Sequence, residues 1–262
     1  KCGDEGKPIV EANPDHEISK IYLNFAKKIK SLYIANWYME NISLIIPAKN
    51  EIESLGVVLE EIKNYDCVNE IIVVVDSEED NSIQVAKKYD CRIIIQKQSG
   101  YGAAIIEGFQ NANNKYGCIY NADYSFDPKD LVKFIELSKM NDFIFATRYQ
   151  KDSGSDDDDW ITLVGNKVFS FICKNFLRIR LSDILYTYVL CNVEKFNALN
   201  LKSKDFRLCI ELPFQVSQCK HSYSEFSSYE RARYGGIKKV KVIKDGFIIL
   251  TEIMYSILKK IF

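Results

Sequence analysis

Four polar segments hold the residues whose types and spacing could do chemistry: Pro47-Ala48-Lys49-Asn50-Glu51, Asp76-Ser77-Glu78-Glu79-Asp80, Gly100-Tyr101-Gly102-Ala103-Ala104, and Asn121-Ala122-Asp123-Tyr124-Ser125-Phe126-Asp127-Pro128. Hard divalent cations prefer oxygen ligands, which makes Asp123 the leading candidate to anchor one. Such an ion neutralises the charge that gathers on a departing diphosphate. Asp76 offers an acceptor for a base or ribose, the task that acidic groups perform after strands in other nucleotide folds. The Gly100/Gly102 turn lets backbone come close to a ligand or pack tightly on a neighbour. Taken singly, each has a plainer explanation. Aspartate after a strand is ordinary turn chemistry, and a lone Gly-x-Gly is a helix-entry turn. Their order is the more specific signal.

The elements that must position these segments are strands and helices in alternation. Short aliphatic runs at 42–46, 71–75, 92–95, 117–120 and 142–146 predict five strands. Helical stretches at 52–63, 81–88, 102–113 and 128–139 lie between them. That alternation is the mark of an α/β fold with a mostly parallel sheet covered on both faces. Ligands on such sheets bind outside the carboxyl ends of the strands, where the four polar segments fall.

The flanks are less regular. Residues 1–14 read as a loose lead-in, and 16–33 carry apolar residues at helical spacing. After Arg148 come a polar stretch at 151–159, a helix at 161–176, irregular strands near 186–192 and a helix at 210–220. A final amphipathic helix spans 240–262. The resulting division is an N-terminal extension and helix over 1–40 and one domain over 41–262.

Composition narrows the function classes. The 35 Lys and Arg nearly balance the 36 Asp and Glu, which gives no global attraction to nucleic acid. Eight cysteines without a C-x-x-C pair read as reduced core thiols rather than a disulfide or metal-finger framework. No apolar run approaches the roughly 20 residues that cross a bilayer. A cytoplasmic protein is the expectation, and the basic, amphipathic closing helix adds a second reading of peripheral contact with the inner face of a membrane.

Across about 42–250 the chain resembles the family 2 glycosyltransferases, particularly the branch of dolichol- and polyprenyl-phosphate sugar synthases. Residues 43–51 are similar to the opening P-x-x-N-E strand and turn. Residues 72–82 resemble V-D-D-x-S-x-D-x-T, 100–108 resemble G-x-G-A-A…G, and 121–128 resemble the metal-binding D-A-D-x-S-x-D-P. Phe145-Ala146-Thr147-Arg148-Tyr149 resembles G-S-R-Y, and Arg233-Tyr234-Gly235-Gly236-Ile237-Lys238-Lys239 resembles R-x-x-G-x-S-K. The resemblance implies a GT-A fold and metal-assisted, inverting transfer of a sugar from a nucleoside-diphosphate sugar. The acceptor it implies is a polyprenyl phosphate or a glycan or small-molecule hydroxyl. Within the 41–262 domain, the resemblance implies a nucleotide-sugar-binding half over 41–150 and an acceptor half with the closing helix over 151–262.

By the same resemblance, Asp123 and Asn121 hold Mg²⁺ or Mn²⁺, while Pro47, Asn50, Glu51, Asp76, Gly100, Gly102 and Arg148 contact the donor. Arg233 and Lys239 reach a diphosphate or acceptor phosphate, and Glu211 faces the site. Asp183 is the general base, or orients the acceptor; an acceptor that is already an anion needs no base. Two departures stand out. Asn121 replaces the first acid of the metal motif, and Leu185-Tyr186-Thr187-Tyr188 replaces the S-G-F/Y-R segment. They motivate an alternative, a degenerate member that binds nucleotide or a partner without turnover. A Rossmann-type cofactor enzyme is weaker, because the glycines follow the third strand instead of the first. The four aspartates at 156–159 read as a solvated loop that moves as a lid, and His221 reads as structural.

Overall fold

The computed structural model describes residues 13–37, 41–235 and 242–261, so the expectation placed on Lys239 lies outside the described residues. The chain divides into two compact units, Lys1–Glu40 and Asn41–Phe262. The described part of the first unit is dominated by α1 (Glu17–Trp37). Its Ile21, Tyr22 and Phe25 are exposed.

The second unit is built on a seven-stranded sheet. In chain order its elements are β1 (Ile42–Ala48), α2 (Leu55–Ile62), β2 (Val68–Val75), α3 (Ser82–Ala86), β3 (Arg92–Ile95), α4 (Tyr101–Gln110), β4 (Tyr116–Ile119), α5 (Asp130–Ser138) and β5 (Phe143–Thr147). Then follow β6 (Gly154–Ser155), α6 (Trp160–Ile172) with a π turn at Cys173–Leu177, β7 (Val189–Asn192), α7 (Val193–Ala198), α8 (Leu208–Gln218), β8 (Tyr223–Ser227), β9 (Tyr229–Glu230) and α9 (Val242–Ile261). The sheet order is β3-β2-β1-β4-β7-β5-β8, and a small second sheet pairs β6 with β9. Only β7 runs antiparallel to its neighbours in the large sheet.

The strand sequences explain the layering. Side chains alternate faces along a strand. Ile45, Ile72 and Val74 enter one core with α4, α7 and α8, while Leu44, Ile46, Val73 and Val75 enter the other with α2 and α5. A sheet covered on both faces therefore reads as continuous aliphatic runs instead of alternation. Pro47 is tolerated inside β1 because β4 ends its pairing at Ile45↔Ile119, leaving Pro47 opposite β2 alone. The seven described cysteines are all free. Burial pushes the Cys67 thiol up to about 11 and those of Cys173 and Cys209 up to about 12, so they stay protonated core groups.

Candidate active site

The carboxyl ends of β1, β2 and β4 open into a cavity of about 520 Å³. Its floor includes Pro47, Glu51, Asp76, Gly100, Asn121 and Asp123; Arg148 and Arg233 stand on its walls. Phe126, Ile161, Phe169, Leu185, Phe206 and Ile249 make another part of the lining apolar.

At the β2 end, Asp76 is cradled. It accepts from Lys49 Nζ at 2.5 Å, Gln96 Nε2 at 2.5 Å and Ser99 Oγ at 2.6 Å. The bond from Lys49 and then that from Ser99 hold its carboxyl below the usual range, so it is an anion with fixed direction. The neighbouring turn is stapled by Asp80, which receives Asn50 N at 3.1 Å and Ser82 N at 2.8 Å. Asn50 takes a left-handed conformation with φ 54°. Ser54 Oγ donates to Glu51 at 3.0 Å, and Ser82 Oγ accepts from Glu51 N at 2.9 Å.

At the β4 end, Asp123 is buried yet lines the cavity. One carboxylate oxygen accepts from Ser125 N at 3.0 Å, and the other pairs with Arg233 Nη2 at 3.1 Å. The Asn121 amide oxygen accepts from Tyr101 Oη at 3.4 Å. Arg233 Nε and Thr162 Oγ1 are both buried without a hydrogen-bond partner, and both residues line the cavity. Unpaired buried donors are costly, so a site that carries them is shaped for an acceptor supplied by a ligand.

The loop bearing Asp123 is clamped from behind by Arg231. Its guanidinium donates to Glu61 at 2.8 and 3.0 Å, to the Tyr124 carbonyl at 3.1 Å and to the Phe126 carbonyl, and it lies 3.8 Å from the centre of the Tyr124 ring. Arg231 N adds a bond to Ser125 O at 2.8 Å.

On the wall formed by the second half of the domain, Arg148 gathers three carboxylates. Nε and Nη2 reach Asp183 at 2.7 and 3.1 Å, and Nη1 reaches Glu230 at 2.9 Å and Asp158 at 3.2 Å. Burial opposes the guanidinium charge, but the attraction of Asp183 and Glu230 outweighs it and raises the Arg148 pKa further. Burial pushes the Glu230 carboxyl up against the pull of Arg148.

Several expectations need revision against this geometry. Asp183 is not on the cavity wall. Its side chain is fully buried, and its two oxygens hold Arg148. Glu211 also stands outside the main cavity, where its carboxylate accepts the backbone N–H groups of Lys202 and Ser203 at 2.7–3.1 Å. Asn50 and Gly102 are not among the lining residues: Asn50 is exposed to solvent and Gly102 is buried. A Cβ on Gly102 would fall 2.3 Å from the Ser203 carbonyl oxygen, and one on Gly100 would fall 2.1 Å from that of Lys204. Those glycines let the 203–205 loop close on α4; Gly100 also needs its φ of 132°. The aspartate run is not a free, solvated loop. Asp156 accepts from Tyr229 Oη at 2.6 Å, Asp158 takes Arg148 and Tyr149, and Asp159 caps α6 through Thr162 N at 2.7 Å. His221 is a half-buried structural residue facing Asp142 at 3.7 Å.

A stand-alone metal cage is absent: among the described residues no group of three or more His, Cys, Asp or Glu could hold an ion. One carboxylate with one amide oxygen instead fits an ion that arrives on a diphosphate, as Mg²⁺ commonly does.

The family model for glycosyl transferase family 2 matches residues 43–199, more than half of the chain. The chain belongs to that family. It is similar to an uncharacterized glycosyltransferase of Mycobacterium tuberculosis, with 28% identity over 145 residues, 55% of this chain and 64% of the relative. It is also similar to the dolichol-phosphate mannosyltransferase of Pyrococcus furiosus, with 31% identity over 127 residues, 45% of this chain and 36% of the relative. The chain thus spans less than two thirds of the length of these curated relatives. Among solved structures, glucosyl-3-phosphoglycerate synthase from M. tuberculosis in complex with Mn²⁺, UDP and phosphoglyceric acid superposes with a TM-score of 0.66. That match has 13% identity and covers 83% of this chain and 78% of the other, a likeness of fold.

For a family 2 chain, then, the residues that sequence reasoning passed over are Asp80, Asp158, Glu230 and Arg231. Asp80 sits in a recognised segment, and Arg231 stands two residues before Arg233. Asp158 lies in the aspartate run read as a lid and Glu230 gave no local signal, because what they share is Arg148.

Proposed function

We propose that the chain transfers a sugar from a nucleoside-diphosphate sugar to a polyprenyl-type lipid phosphate at the cytoplasmic face of a membrane, with inversion. The observation that carries this reading is the meeting of Asp123 with Arg233, whose Nε is unpaired, on the wall of a cavity that also holds the Asp76 cradle. The fixed Asp76 carboxylate takes hydroxyl or N–H groups of the nucleoside, and Glu51 lines the same end. Arg233 donates to the diphosphate. Its charge grows in importance as the anomeric C–O bond breaks and the bonding pair passes to the leaving oxygen. Asp123 and the Asn121 amide oxygen would hold Mg²⁺ or Mn²⁺ there. When bound, such an ion supplies further neutralisation of that leaving group.

The acceptor choice follows from where Asp183 points. Held by Arg148 and away from the cavity, it is suited to orient Arg148. An acceptor phosphate attacks as an anion and needs no proton removed. The apolar lining offers surface to a hydrocarbon chain, and the mannosyltransferase relatives are named for a dolichol-phosphate acceptor.

Asp123→Ala is the test. It should abolish metal-dependent turnover and the metal-dependent rise in melting temperature that a nucleoside-diphosphate sugar produces. Unchanged activity would remove the central claim. The replacement of an acid by Asn121 motivates a second reading, binding without turnover. Donor hydrolysis or transfer above a boiled control counts against it.

A further inference from the structure

Two helices, α6 and α9, flank the cavity and carry apolar residues on both their inward and their outward sides. Inward, Thr162, Phe169 and Ile249 line the cavity. Outward, Trp160 (74% exposed), Val164 and Phe171 (66%) form a stripe on α6, and Phe247 (68%), Met254 and Leu258 form one on α9. Ile161 belongs to both sides: it lines the cavity and is half exposed, so it marks the mouth. Lys260 Nζ donates to Phe176 O at 2.9 Å and joins the end of α9 to the turn after α6.

We propose that this face docks on a bilayer rich in anionic lipid, so that the cavity mouth opens at the headgroup level. This rests on the lipid-acceptor reading above and names the surface that serves it. Charge argues for the occupant. From Trp160 to Arg180 the chain carries Lys167, Lys174, Arg178 and Arg180 and no carboxylate. Lys167 falls at helical spacing between Val164 and Phe171, so a cation stands within the apolar stripe itself. Protein interfaces are depleted of lysine at their cores. A membrane surface instead rewards aromatic and aliphatic side chains beside lysines, whose heads stay with the phosphates. Of the acids at the start of α6, Asp159 caps the helix and Asp158 pairs with Arg148, while on α9 Asp245 and Glu252 are outnumbered by Lys244, Lys259 and Lys260.

The test is sedimentation of the full chain with sucrose-loaded vesicles, without donor or polyprenyl phosphate. One set is phosphatidylcholine alone and the other equal parts phosphatidylcholine and phosphatidylglycerol. Binding is expected to the anionic set and to weaken with salt. The pair Trp160→Ser and Phe247→Ser should lower partition by about tenfold or more, and Lys167→Gln with Lys174→Gln by about fivefold per charge. All four positions are exposed, and unchanged thermal melts verify that the variants fold. Absence of binding to anionic vesicles overturns the proposal, as does a soluble dimer that these substitutions dissociate. Vesicle binding without any lipid product would sink the acceptor reading alone. Lipid-phosphate turnover in detergent without vesicle binding would sink the docking alone.

Discussion

Asp183→Asn separates a proton-transfer role from a positioning role. The wild-type carboxylate is fully buried and takes two guanidinium bonds, at 2.7 and 3.1 Å, and the Arg148 backbone N–H at 3.3 Å. The amide keeps the shape, removes the charge and turns an NH₂ toward a group that only donates. Removing one partner of a buried ion pair costs about 3–5 kcal/mol. Arg148 keeps Asp158 and Glu230, so the lower end applies, about 3 kcal/mol. For a domain of this size each kcal/mol moves Tm by roughly 2–4 °C, which gives a fall of about 6–12 °C. Urea and thermal melts measure it, and a pH–rate profile of any transfer activity completes the assay. The positioning role predicts the full fall in Tm, with reduced turnover whose acidic limb keeps its midpoint. An unchanged Tm with turnover lost, together with that limb, would refute it and restore Asp183 as a base.

Three further outcomes follow from burial and backbone contact. Burial pushes the Asp130 carboxyl up to about 6, against the bond it accepts from Ser228 Oγ at 2.6 Å. A carboxyl raised on folding binds a proton there, so its stabilising contribution is complete below about pH 4 and is lost as pH rises through its folded pKa. Asp130→Asn, which retains an acceptor for Ser228, should therefore raise stability near neutral pH, by an amount of order 1 kcal/mol, and do so less at pH 4; calorimetry at both pH values checks the sign. Gly102→Ala places a methyl 2.3 Å from the Ser203 oxygen and 2.8 Å from that of Asp205, both backbone, and should cost about 1–3 kcal/mol in a urea melt. Gly165→Ala, with nothing within 4 Å, should instead stabilise α6 by up to about 1 kcal/mol.

The sequence by itself determined the sheet and which polar loops line the cavity. The five aliphatic runs are β1 to β5, because a strand buried on both faces needs continuous apolar residues and its polar loop begins where burial ends. Pro47, Asp76, Asn121 and Asp123 are cavity residues for that reason. The antiparallel β7 was legible only as irregular strand near 186–192. Its four residues gain their identity by inserting between β4 and β5, a non-local pairing. Tertiary structure alone decided what Asp183, Asp158 and Glu230 do. They are separated by 25 to 72 positions and meet only at one buried guanidinium, whose desolvation must be compensated by opposite charge. It also turned the aspartate run from a solvated loop into a segment in which Asp156, Asp158 and Asp159 are separately anchored, and gave the glycines a carbonyl to approach. Local pattern reports which residues are buried or exposed along an element; which charges face each other is set by the packing of distant elements, and no periodicity records it.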